Sequence, residues 1–122
     1  MSNKDLILKF YESGGILSKS YCLEILHPEV NLEWYSSNGL LNLDLNDILA
    51  ISKELRHNYY SLRAEVQEII EEKDRIMVRY TYFVRTFENR DEEMVLAVFY
   101  TSWQIKENLL FKGCQMSQLV HL

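Results

Sequence analysis

The residues of this chain best suited to chemistry are aromatic and neutral. Trp34, Tyr80, Tyr82, Phe99 and Trp103 recur at alternating positions of strand-like segments, where their ring faces suit a flat or apolar molecule. Tyr11, Thr101 and Gln115 are the hydroxyl and amide groups expected to point inward among them, each able to fix a ligand by a hydrogen bond. The same rings would also make a filled aromatic core, and an inward Thr or Gln is often satisfied by backbone or a neighbouring Tyr.

Charged chemistry is scattered by comparison. His27 precedes Pro28 and His57 closes a helical segment, so both are expected at helix ends, where an imidazolium meets terminal carbonyls. The remaining acid–base candidates, Asp44 and Asp47, also sit at a helix end, and no carboxylate at fixed spacing orients either histidine, so no metal site and no cofactor are implied. Cys22 and Cys114 lie far apart without a CxxC partner and are expected as small buried apolar side chains. The 122 residues fit a single domain with one core. A formal charge of −5 with dispersed Lys and Arg argues against a nucleic-acid partner. No apolar run approaches a membrane span, and Met1-Ser2-Asn3-Lys4-Asp5 lacks a secretory pattern, which leads to the expectation of a cytoplasmic protein without a membrane partner.

The elements that must position these groups follow from periodicity. Leu6, Ile7, Phe10 and Tyr11 predict a first helix over Lys4 to Ser13, stopped by Gly14-Gly15. Tyr21, Cys22, Ile25 and Leu26 predict a second that ends near His27, because proline disfavours helical backbone in the residue before it. Val30 to Tyr35 alternates as a strand and breaks at Ser36-Ser37-Asn38-Gly39. Asp44 or Asn46 caps a third helix through Ile48, Leu49, Ile51, Ser52 and Leu55, fading near His57-Asn58. After Tyr59 four antiparallel strands follow in order, turning near Glu72 to Asp74, Glu88 to Glu92 and Lys106 to Asn108. The acidic runs Glu68 to Glu72 and Glu88 to Glu93 are expected as solvated turns.

Both faces of Arg75 to Phe87 and Met94 to Ile105 are apolar or aromatic, as in a sheet covered on both sides. Parity assigns Ile76, Val78, Tyr80, Tyr82 and Val84, with Val95, Ala97, Phe99, Thr101, Trp103 and Ile105, to an enclosed face. It leaves Met77, Phe83, Leu96, Val98 and Tyr100 outside, a patch that predicts homodimerisation through the outer sheet face, with Arg79 and Arg85 setting its register.

With the stretch Ile25-Leu26-His27-Pro28-Glu29-Val30-Asn31-Leu32-Glu33-Trp34, followed by Gly39 and the third helix, this order resembles the NTF2-like superfamily, including its SnoaL-like cyclases and steroid isomerases. The resemblance implies an α+β cone over residues 1–122, three N-terminal helices packed on a curved antiparallel sheet around a ligand cavity. For isomerase-like members it implies a carboxylate at the end of the first strand, which falls at about Trp34, and an acid in the penultimate strand, at about Thr101. It also implies a helix hydroxyl, at Tyr11. Two of these three groups are absent, and neither Trp34 nor Thr101 can accept a proton there. The expected function is therefore an NTF2-like homodimer whose pocket of Tyr11, Trp34, Tyr80, Tyr82, Phe99, Thr101, Trp103 and Gln115 binds a small apolar molecule. The alternatives are a SnoaL-like cyclase or isomerase, whose base would have to be Glu33, Asp44 or His57, and a protein-interaction module using the convex sheet.

Overall fold

A computed structural model describes residues 2–12 and 14–119. The order is α1 (Asn3–Glu12), a 3-10 turn (Gly15–Leu17), α2 (Lys19–Ile25), β1 (Leu26–Ser36), β2 (Gly39–Leu43), α3 (Leu45–Asn58), β3 (Ser61–Glu72), β4 (Arg75–Arg85), β5 (Met94–Lys106) and β6 (Leu109–Leu119). Ser13, the expected end of the first helix, lies outside the described residues.

Local chemistry explains the boundaries. Gly14 adopts a left-handed conformation (φ 72°) after α1, a turn that disfavours a Cβ. The Ser18 hydroxyl accepts from the Tyr21 N–H to start α2. Asp44 and Asp47 form a reciprocal capping box that starts α3: each carboxylate accepts the other's backbone N–H, at 2.9 and 3.0 Å. This settles the cap on Asp44.

The six strands form one sheet in the order β2-β1-β6-β5-β4-β3. The four C-terminal strands pair antiparallel in sequence order, as expected. The sheet as a whole is mixed, however, because β1 runs parallel to β6. That pairing is long-range, and alternation alone cannot reveal it.

Three other expectations are corrected. The second helix stops at Ile25, and Leu26-His27-Pro28 already belongs to β1, next to the irregular start of its pairing with β6. His27 is therefore not a helix terminus: its Nδ1 accepts the Glu29 N–H at 3.0 Å and its ring packs edge-on against Phe111. Beyond the expected elements, the segment from Gly39 adds a strand, β2, antiparallel to β1. The acidic run Glu68 to Glu72 lies within edge strand β3, where exposed carboxylates discourage further pairing.

Helices α1, α2 and α3 lie against one face of the sheet, α1 over β3 and α3 over β1 and β2. Beneath them Ile7, Cys22, Ile76, Val78, Tyr80, Val84 and Leu110 are almost wholly buried. Cys22 is buried as expected, whereas Cys114 is only half-buried and faces a hollow on the opposite side of the sheet. Among the described residues no helix is long and apolar enough to cross a membrane.

Candidate functional site

The inner sheet face divides into a buried polar relay and an open cavity. The relay begins at Trp103, whose indole Nε1–H donates to the Tyr11 hydroxyl at 2.9 Å across the α1–β5 interface. Gly113 permits this placement: a Cβ there would lie 2.8 Å from the Trp103 ring and 2.7 Å from Leu32. The Tyr11 ring sits 4.2 Å from that of Tyr80, and its hydroxyl interacts with those of Tyr80 and Thr101. The Tyr80 and Thr101 hydroxyls are bonded to each other at 3.0 Å and lie 3.1 and 3.2 Å from Gln115 Oε1, which accepts from the pair. Thr101 and Gln115 are cross-strand partners, so the β5–β6 register brings them together.

Burial raises the pKa of all three inner phenols, Tyr11, Tyr80 and Tyr82. For Tyr11, hydrogen bonds from Trp103, Tyr80 and Thr101 work against the rise. For Tyr80 and Tyr82, which rise well above the ordinary range, the charge that a neighbouring phenolate would carry adds to it. These groups are neutral phenols at physiological pH.

In front of the relay lies a cavity of about 660 Å³. Its sheet wall carries Leu32, Trp34, Tyr82, Leu96, Phe99 and Gln115, and α3 closes the other side with Ile48, Ile51 and Leu55. Ile16, from the 3-10 turn, completes the apolar lining. That turn is held by α3: the Ser52 hydroxyl donates to the Ile16 carbonyl, and Arg56 Nη1 donates to the Leu17 carbonyl at 2.8 Å. Ser37, Asn38, Leu41 and Gln118 line the exposed rim, where solvent reaches the space. The Trp34 indole is fixed by donation to Ser117 Oγ at 2.9 Å.

Of the eight residues singled out by sequence, Trp34, Tyr82, Phe99 and Gln115 line the cavity. Tyr11, Tyr80, Thr101 and Trp103 form the wall behind it. The rings are partly stacked on one another, Tyr80 on Phe99 at 5.1 Å and Tyr82 edge-on to Phe99 at 5.1 Å, yet the cavity remains open beside them.

Sequence parity misplaces Leu96 and Val95. The β4–β5 ladder shifts register between Tyr82 and Phe83, which pair with Ala97 and Val95, so Leu96 is an inserted bulge residue and turns into the cavity. Val95, expected inside, instead pairs with outward-facing Phe83. The α3 residues and Ile16 are also missed as lining, because periodicity marks a buried helix face without saying what it faces.

The described lining contains no carboxylate, imidazole, amine or guanidinium. Glu33 lies on the opposite sheet face, where it accepts from the Tyr35 hydroxyl at 3.3 Å; Asp44 caps α3 and His57 is exposed. Two phenols belong to the described lining: Tyr35, at the rim, whose hydroxyl is turned to Glu33, and Tyr82, whose hydroxyl has no protein partner among the described hydrogen bonds.

No protein-family model matches the chain, and no curated protein sequence matches it. Solved structures are similar in fold. IdmH of Streptomyces antibioticus, a proposed polyketide cyclase, superposes with TM-score 0.76 at 13% identity over 97% of this chain and 93% of its own. An NTF2-like protein of unknown function from Burkholderia pseudomallei gives 0.69 at 19% identity, over 98% and 92%. TerC, crystallised with polyporic acid, gives 0.67 at 21% identity, over 96% and 90%. This chain therefore has an NTF2-like fold.

Proposed function

We propose that the chain is a binding protein for a small, neutral, largely apolar molecule held in the cavity between α3 and the inner sheet face. The observation that carries this reading is the lining: aromatic and aliphatic side chains with a few neutral polar groups around a space open at its rim, and no charged group among the described residues. An ion would lose its hydration there with no opposite charge among the described lining residues to offset the loss. The co-crystallisation of TerC with polyporic acid supports a small-molecule occupant for a fold of this shape. The neutral fluorophore N-phenyl-1-naphthylamine is expected to brighten on binding with one site per chain. Leu96→Trp, which projects an indole into the space, weakens it by about tenfold or more, the equivalent of roughly 1.4 kcal/mol. Unchanged binding by that variant would place the dye elsewhere.

The functional unit in this reading is a homodimer. Tyr100, Met116, Tyr35 and Leu40 are about half exposed and lie on one rung that crosses β5, β6, β1 and β2 on the outer face, with Met77 nearby. Such a contiguous apolar row is uncommon on a free monomer surface. Native mass spectrometry is expected to find a dimer for the wild type and a monomer for Tyr100→Glu; a monomeric wild type would remove this part of the proposal.

A further inference from the structure

We infer that Gln115 sets the polarity of the ligand: its amide presents an N–H donor to the cavity, so the occupant carries a neutral hydrogen-bond acceptor, such as a ketone oxygen, at that depth. This rests on the cavity reading above and adds a requirement to it.

A primary amide has an accepting end and a donating end, and the environment decides which faces the ligand. Here the hydroxyls of Tyr80 and Thr101, 3.0 Å from each other, both lie within hydrogen-bond distance of Oε1 on the wall side, and one of them donates to it while the other donates within the pair. That wall is rigid: Tyr80 and Thr101 are almost wholly buried, and the Trp103–Tyr11 bond locks the relay behind them. With the carbonyl engaged, Nε2 is the free end. It donates to no protein group among the described hydrogen bonds, yet no fully buried polar side-chain atom among the described residues lacks a partner, so Nε2 reaches accessible space. On this face, between Trp34 and Thr101 on the flanking strands, that space is the cavity. An apolar occupant would cover this N–H without satisfying it, whereas an acceptor oxygen completes it.

Fluorene and 9-fluorenone test this, since they share size and shape and differ in one carbonyl. Wild-type protein is expected to bind fluorenone more tightly than fluorene by roughly three- to tenfold, the worth of one net hydrogen bond. Gln115→Leu is expected to lose the preference, the ratio of the two affinities falling to about one whatever the variant does to fluorene binding itself. In the wild type the side-chain amide NMR signals of Gln115 should shift with fluorenone and much less with fluorene, a readout independent of whether the variant folds. Equal affinities, a preference that survives Gln115→Leu, or an unresponsive Gln115 amide would overturn the inference while leaving the cavity reading standing. Failure of both probes to bind would overturn the cavity reading and this inference with it.

Discussion

Trp103→Ala is expected to destabilise the fold by about 3–5 kcal/mol, the range for removing a fully packed large aromatic side chain. Trp103 is almost wholly buried and fills the space left by Gly113. Its indole also supplies a donor to the Tyr11 hydroxyl, which would be left with only the Tyr80 and Thr101 hydroxyls of the buried relay. Since domains of this size are stable by only about 5–15 kcal/mol, the variant should be close to its folding limit at physiological temperature. Trp103→Phe separates the two contributions, because it retains most of the packing and loses the hydrogen bond, at about 1–3 kcal/mol. Urea midpoints measure both. A cost below about 1 kcal/mol for the alanine variant would mean that the wall rearranges without this ring, and that the relay is not what holds Tyr80 and Thr101 in place.

The second large effect is alkaline unfolding. Tyr11, Tyr80 and Tyr82 are held above the ordinary tyrosine pKa of 10.0 by burial, so the folded state keeps protons that the unfolded chain gives up. Their contribution is fully present below about pH 10 and is lost as pH rises from there through the folded values. Each group adds a slope of about 1.4 kcal/mol per pH unit within that window, about 4 kcal/mol per unit for the three together. Stability should therefore be level through neutral pH and fall steeply above about pH 10, with the buried phenols ionising only on unfolding. Denaturant midpoints and tyrosinate absorbance, followed together from about pH 8 to about pH 11, check this. Ionisation of all the tyrosines in one step near pH 10 on a still-folded protein would show that the inner phenols are not enclosed.

Much of the inner face is legible in the amino-acid sequence. Alternation in β4 and the C-terminal half of β5 places Tyr80, Tyr82, Phe99, Thr101 and Trp103 on one face, since a strand's period of two leaves no other choice within an uninterrupted ladder. The rule fails where the ladder is interrupted. The bulge at Leu96 exchanges faces locally, and nothing in the apolar run Met94 to Val98 marks the extra residue. Periodicity also cannot tell which inward rings meet empty space. Trp34 and Phe99 border the cavity while Trp103 sits behind it, a distinction set by how α1 and α3 lie over the sheet. Pro28 signals a helix end near His27, but the β1 strand already begins at Leu26, in a pairing with distant β6 that no local signal encodes.

The chain has two tryptophans in opposite settings, which one titration can read. Trp34 lines the cavity with its indole N–H on Ser117, and Trp103 lies behind the wall with its indole N–H on Tyr11. With N-phenyl-1-naphthylamine added stepwise to labelled protein, the Trp34 indole NMR signal is expected to shift to saturation at one equivalent per chain while that of Trp103 moves little. Saturable binding that leaves Trp34 unmoved would contradict the cavity as the binding site.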